Sequence, residues 1–104
     1  MAVSIAIEAS VADSAERVAL LEAAADPVRW AVLDALSRGP RCVCDLQESV
    51  PVAGNLMSYH LKVLRDAGLV STTRRGRWVD YALAADALAR LSAALPGLRD
   101  QVPR

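Results

Sequence analysis

The sequence contains no phenylalanine and few other aromatic residues, with two tryptophans and two tyrosines among 104 residues. Apolar residues still make up 54% of the chain, many of them alanine. Such a composition favours closely packed helices over an aromatic-filled β-sandwich, and it excludes an intrinsically disordered chain. A chain of this length predicts one domain, residues 1–104, which leaves so much surface uncovered that self-association is expected.

Long apolar runs are also missing. No stretch approaches the roughly 20 apolar residues that cross a bilayer. The apolar residues 1–7 lack a basic flank and meet Glu8 too early for a signal peptide. We therefore expect a cytoplasmic protein with no membrane partner, and we expect residues 1–9 to form a flexible or dimer-packing segment.

Cysteine and histidine are scarce. Cys42 and Cys44 are the only cysteines, and His60 is the only histidine. Two cysteines separated by one residue are too few and too close for the disulfide framework of a secreted protein, so we expect free thiols at rest. No Ser/His/Asp or Cys/His combination and no glycine-rich phosphate loop is recognisable, which argues against an enzyme.

The net charge is zero, because 12 basic residues balance 12 acidic ones, but the charges are segregated. Residues 1–26 have a balance of minus four, whereas residues 62–77 have a balance of plus four. A neutral chain can therefore carry a local basic face that attracts a polyanion. The alternative is a solvated run of charges without a partner.

Apolar periodicity, capping residues and turn signals predict five helices and one β-hairpin. Asp26 and Pro27 favour a helix start, because Asp caps free N–H groups and Pro fits the first helical position. Gly68 is expected to end the fourth helix. The predicted helices are residues 10–25, a second from Pro27 that stops at Gly39-Pro40, 41–49, 55–67 and 86–95, and the predicted strands are 69–73 and 78–83.

Apolar side chains predict which face of each element is buried. On the fourth helix, Leu56 or Met57 recurs with Leu61 and Leu64 at helical spacing. On the last helix, a single stripe is formed by Leu88, Leu91 and Leu95.

This element order, mainly α with a small β-hairpin, is that of a winged helix-turn-helix. The fourth helix would enter a DNA major groove, and the arginines of the hairpin tip would reach phosphates. Because Leu61 and Leu64 face inward, we expect Ser58, Tyr59 and His60 to face the groove. The residues expected to contact DNA are Asn55, Ser58, Tyr59, His60, Lys62, Arg65, Arg74, Arg75 and Arg77.

Four stretches together resemble the ArsR/SmtB family of winged-helix repressors, over roughly residues 26–83. They are residues 26–33, 42–46, 58–70 and 76–83. The resemblance implies a homodimer, built by the first and last helices, that occupies a palindromic operator in double-stranded DNA and leaves it when an effector binds. The alternative is that the apolar stripes only cover the core of a monomer.

The stretch at residues 42–46, Cys-Val-Cys-Asp-Leu, is similar to that of the arsenic-sensing branch of the family, in which a third Cys commonly follows. Gln47 stands at that position here. The resemblance implies that As(III) or Sb(III) binds Cys42 and Cys44, with a third ligand from outside, as an inducer and not as a catalytic cofactor. Nothing need be bound at rest.

The spacing of the two cysteines sets a condition on such a site. Residues two apart in a regular helix point about 200° from one another, so both thiols reach one ion only if the first turn is open. The last helix has no histidine, which argues against the zinc or nickel sites of other members. Open alternatives are inert thiols, a redox switch, an effector-independent regulator, and a winged helix that binds protein instead of DNA.

Overall fold

The computed structural model describes residues 2–96, with side chains from Val11 onward. Within that part of the chain it contains five helices and three strands, and the predicted winged helix-turn-helix is confirmed. No helix there is long and apolar enough to cross a membrane. The elements are α1 (Ala2–Ala24), α2 (Pro27–Leu36), β1 (Arg41–Cys42), α3 (Val43–Ser49), α4 (Gly54–Asp66), β2 (Val70–Arg75), β3 (Trp78–Leu83) and α5 (Ala87–Ala94).

Helix α1 is longer than the sequence predicts. It begins at Ala2, whereas the predicted start was residue 10. The segment is rich in alanine and contains neither glycine nor proline, so nothing interrupts helix propagation toward the N-terminus. The predicted role of residues 1–9 as a flexible or dimer-packing segment depends on Met1 and on side chains that lie outside the described part of the chain.

Helix α2 starts at the predicted cap. The Asp26 carboxylate accepts hydrogen bonds from the backbone N–H groups of Val28, at 2.9 Å, and Arg29, at 3.0 Å. The hydrogen bond from Arg29 is the largest influence lowering the pKa of Asp26, and charge attraction from Arg29 adds to it. Pro27 follows as the first helical residue.

The predicted third helix begins too early, because Arg41 and Cys42 form strand β1. Arg41 pairs with Tyr81 and Cys42 with Asp80 in an antiparallel ladder, so that β1, β3 and β2 form a three-stranded sheet in that order. A two-residue strand has no periodicity of its own, and it is defined here by a partner strand distant in the sequence. Helix α3 starts at Val43.

Helix α4 is held in the core by one face and by its C-terminal end. Met57, Leu61 and Leu64 are at most 2% exposed, which decides the predicted choice between Leu56 and Met57 in favour of Met57. The helix ends in a Schellman motif, with Gly68 at φ +73 and Leu69 N–H bonded to Leu64 C=O at 3.0 Å. The rest of the core consists of Ala23, Ala24, Val32, Ala35, Leu36, Leu46, Val50, Leu69, Val70 and Ala87.

Helix α5 fixes the end of α4. The Arg90 guanidinium donates hydrogen bonds to the carbonyl oxygens of Gly68, at 2.8 Å, and Ala67, at 3.0 Å. Within one protomer α5 buries Ala87 and Ala94. The outer part of the predicted leucine stripe remains in solvent.

Candidate nucleic-acid interface

The exposed face of α4 carries the polar residues that the sequence assigns to DNA. Since Met57, Leu61 and Leu64 face the core, the positions between them project outward. Every member of the outward set is exposed, and its spacing of three and four residues places it on one side of the helix. The set consists of Asn55, Ser58, Tyr59, Lys62 and Arg65.

His60 does not belong to this face, and its predicted outward orientation is wrong. Only 11% of its side chain is exposed. Its Nδ1 accepts a hydrogen bond from the Arg29 guanidinium at 2.9 Å and lies 3.8 Å from an Asp26 carboxylate oxygen. The physical reason is the position of α4 against the start of α2, where His60 meets a cation and a capping carboxylate that the periodicity of α4 alone does not show.

Arg29 is a residue that sequence reasoning missed. Besides contacting His60, it donates from Nε to the carbonyl oxygen of Ala23 at 2.6 Å and from a terminal nitrogen to that of Glu22 at 3.2 Å. One guanidinium therefore caps the C-terminal end of α1 and holds the middle of α4. The only sequence signal is a basic residue directly after a capped helix start, which is too common to identify such a bridge.

Strands β2 and β3 form the wing, a hairpin from Val70 to Leu83 that turns at Gly76 and Arg77. The register pairs Val70 with Leu83 at its base and Arg75 with Trp78 at its tip. Gly76 has φ +60, as at the first central position of a type II′ turn. This turn projects Arg74, Arg75 and Arg77 into solvent.

Ion pairs divide the basic residues of the helix and wing into two groups. The Lys62 Nζ lies 2.7 Å from the Asp66 carboxylate, and the Arg75 Nε lies 2.7 Å from that of Asp80. The hydrogen bond between Arg75 and Asp80 is the main cause that lowers the pKa of Asp80 and raises that of Arg75. The exposed cations that form no ion pair with another described residue are Arg65, Arg74 and Arg77.

The two cysteines lie at the junction of β1 and α3. Helix α3 is the first helix of the helix-turn-helix, and α4 is the second. Cys42 has an extended backbone, with φ −76 and ψ 167, and precedes α3, whereas Cys44 lies in the first turn. Because Cys42 lies outside the helix, the separation of about 200° between residues two apart in a regular helix does not apply to this pair. Cys42 is half-buried, Cys44 is exposed, and both are free thiols.

The donor set at this junction contains two soft ligands. Among the described residues, no group of three His, Cys, Asp or Glu side chains is gathered that could hold a metal ion. Two thiols suit a thiophilic ion that takes its remaining ligand from solution. They do not suit an ion that needs a complete protein cage.

Comparison with known proteins gives the following matches. A family model described as "Bacterial regulatory protein, arsR family" matches residues 26–72. The chain is 44% identical over 72 residues to the transcriptional repressor SmtB of Mycobacterium tuberculosis. The matched stretch covers 69% of this chain and 53% of that protein. The solved structure of a possible transcriptional regulator for arsenical resistance is 36% identical, with a TM-score of 0.67, over 79% of this chain and 81% of that one.

A further solved structure is the homodimeric winged helix-turn-helix DNA-binding domain of a possible ArsR-family regulator from Mycobacterium bovis. It is 29% identical, with a TM-score of 0.67, over 90% of this chain and 85% of that one. The chain spans about half the length of the SmtB relative. The family is one of regulatory proteins, as expected for a chain without a recognisable catalytic combination. Fold, sequence and the family model agree that this chain belongs to the ArsR family of bacterial regulatory proteins.

Proposed function

We propose that the protein is a transcriptional repressor that binds operator DNA as a homodimer and leaves it when As(III) or Sb(III) binds Cys42 and Cys44. The observation that carries the DNA-binding part is the solvent-facing side of α4 beside the arginine-tipped wing. Asn55, Ser58 and Tyr59 present polar groups where base edges would lie.

The distribution of unpaired charge supports contacts with phosphate groups. Arg65, Arg74 and Arg77 are exposed, and none forms an ion pair with another described residue. Their charge is therefore available to the DNA backbone. Lys62 and Arg75 each pair with a neighbouring carboxylate that offsets part of their charge, so we expect them to contribute less.

The test of DNA binding is a salt titration of affinity for double-stranded DNA. The triple variant Arg65→Ala, Arg74→Ala, Arg77→Ala should lower the slope of log K against log salt by about 0.9 for each phosphate contact that is lost. The control is Arg17→Ala with Arg38→Ala, which removes two arginines that lie outside α4 and the wing and that each pair with an aspartate four residues earlier, Asp13 and Asp34. Equal slopes for the triple variant and the wild type would favour a protein-binding winged helix.

Exposed apolar side chains support a homodimer. On α1, Val11 is 63% exposed and Val18 49%. On α5, Leu88 is 77% exposed, and Leu95, directly after that helix, is 52% exposed. Helices α1 and α5 pack together, so these exposed apolar side chains lie on neighbouring elements. Such a surface suits contact with the same surface of a second copy. The homodimeric neighbour from Mycobacterium bovis has the same fold.

Sedimentation tests the dimer directly. Leu88→Lys should yield a monomer at micromolar concentration, because it places a charge within the proposed seam. Leu56→Lys is the control, since Leu56 is 49% exposed but lies on α4, and it should leave the dimer intact. If the wild-type protein sediments as a monomer, the proposed homodimer is contradicted, and so is the expectation that the operator is palindromic.

The inducer part of the proposal rests on the chemistry of the thiol pair. Arsenous acid would react with both thiols in two condensations. Each thiol gives up its proton, forms a sulfur–arsenic bond and releases one hydroxyl of the acid as water. Arsenic stays trivalent and keeps one hydroxyl, which a small thiol from solution can replace. No oxidant or reductant is consumed.

Release of DNA from the purified protein tests this part. Under controlled thiol status, As(III) and Sb(III) should release DNA, and Cys42→Ser with Cys44→Ser should abolish the response while DNA is still bound. Coupling of the usual size, about 1–3 kcal/mol, corresponds to a loss of affinity between about 5-fold and 150-fold. A response to Zn(II) or Ni(II) alone would contradict the site, and a response to peroxide alone would favour a redox switch.

A further inference from the structure

One face of the three-stranded sheet connects the thiol pair with the tip of the wing. The register places Cys42 opposite Asp80 across β1 and β3, and Arg75 opposite Trp78 across β2 and β3. Directly opposed residues point to the same side, as do alternate residues along a strand. Cys42, Asp80, Arg75 and Trp78 therefore share one face, while Tyr81 on the other face packs against the core.

Asp80 is the side chain that joins these positions. Its two carboxylate oxygens accept hydrogen bonds from Nε of Arg75, at 2.7 Å, and from a terminal nitrogen, at 3.2 Å. The Asp80 side chain is only 20% exposed, whereas that of Arg75 is 68% exposed. The carboxylate therefore lies against the sheet and holds an outer cation at the tip.

Cys42 is the residue directly opposite Asp80 on the neighbouring strand. The Cβ atoms of directly opposed residues are about 4.5–5.5 Å apart in an antiparallel sheet. The pKa of Arg75 is raised first by its hydrogen bond with Asp80 and then by the charge of Asp80. A group attached to the Cys42 sulfur therefore adjoins the pair that fixes the wing.

We propose that Asp80 is a positioning residue that transmits the occupancy of the thiol pair to the wing. While the thiols are free, Asp80 holds Arg75 in the geometry used on DNA. When arsenic bonds to Cys42 and Cys44, the arsenic and its remaining hydroxyl occupy the space beside Asp80 and weaken its pair with Arg75. The wing tip then loses its fixed shape and DNA affinity falls. This inference rests on the proposed function, since it uses the same thiols and the same ligand.

A route through the sheet is favoured over one through α3 by the placement of the two cysteines. Cys42 lies in β1, in register with β3, and is half-buried. Cys44 is exposed in the first turn of a seven-residue helix. A movement of Cys42 toward Cys44 must be shared by β3, whereas Cys44 can move with little displacement of its surroundings.

Trp78 provides a readout of the wing that needs no DNA. In a Trp30→Phe background it is the only tryptophan, and it lies on the same face as Asp80. Adding arsenite should change its fluorescence in parallel with protection of the two thiols from alkylation. With Asp80→Asn, the thiols should still be protected, but most of the fluorescence change should be lost. Arg75→Gln breaks the same pair from the other side and should reduce the change equally.

The matched control is Asp66→Asn, which removes an ion pair of the same 2.7 Å length on α4. It should retain the full fluorescence response. The inference is overturned if Asp80→Asn responds like the wild type, or if Asp66→Asn loses the response equally. Failure of the proposed function gives a different result. If arsenite does not protect the thiols, the proposed inducer site and this inference are both overturned. If the thiols are protected and Trp78 responds but DNA is not released, only the repressor mechanism is contradicted.

Discussion

Helix α4 and the wing both carry a net positive charge but are held in place by different means. The face of α4 is set by its own sequence, because three buried residues at helical spacing turn the polar ones outward. The wing has few buried side chains of its own beyond its base, where Val70 is 3% exposed. Its geometry depends on strand pairing, on one glycine turn and on the pair between Arg75 and Asp80.

The ion pairs of the two regions show the same contrast. Lys62 and Asp66 are four residues apart on one helix, and both side chains are more than 60% exposed. Arg75 and Asp80 belong to different strands, and Asp80 also faces the strand that carries Cys42. A local pair responds only to its own helix, whereas a cross-strand pair responds to whatever moves the sheet. The region suited to regulation is therefore the wing.

The largest expected effect comes from removing the anchor of α4. Leu64→Ala should lower the free energy of unfolding by about 2–5 kcal/mol, because Leu64 is fully buried and its truncation leaves a cavity. The control on the same helix is Leu56→Ala, which should change it by less than about 0.5 kcal/mol. Chemical denaturation measures both. Similar losses would show that the exposed side of α4 is packed after all.

Glycine substitutions should separate the two regions by the sign of their effect. Gly76→Ala should destabilise the protein by about 1–2 kcal/mol, because φ +60 is unfavourable for a residue with a Cβ even though the space is open. Gly54→Ala should stabilise it by up to about 1 kcal/mol, since α4 starts there and an added Cβ makes only an ordinary contact. Thermal unfolding of both variants measures the two changes in stability. Changes of the same sign would contradict this contrast.

The last prediction concerns the cap that holds α2 beside His60. Asp26→Ala should cost about 0.5–2 kcal/mol at neutral pH. The folded protein lowers the pKa of Asp26 below its ordinary value of 3.8. The stabilisation that the charged cap provides is therefore fully present above pH 3.8, and it is lost as the pH falls through the lowered pKa. Asp26→Asn keeps a capping acceptor without the titrating group, so its difference from Asp26→Ala should not follow this acid transition. Urea unfolding between pH 2 and 7 measures it.

Much of the fold was predictable because its signals are local. Asp26 with Pro27 marks the start of α2, Gly68 marks the end of α4, and the alternation of Val79, Tyr81 and Leu83 marks a strand. Each of these depends on residues within about one helical turn or one strand. Helix α1 was predicted too short because an alanine-rich segment gives no sharp start.

The candidate site was predictable only in part, for the same reason. The residues of the exposed α4 face and the hairpin arginines follow from periodicity and from charge segregation. The inward position of His60 does not, because it depends on Arg29 of another helix. Strand β1 does not either, because two residues acquire their structure from β3.

The sequence by itself determined the order of the elements, the amphipathic face of α4, the basic segment and the presence of two neighbouring thiols. Tertiary structure decided which cations are already paired, that His60 is held by Arg29 near Asp26, and that Cys42 lies opposite Asp80. Helical faces and caps arise from residues close together in the chain. Strand pairing and ion pairs between elements depend on distances that exist only once the chain is packed.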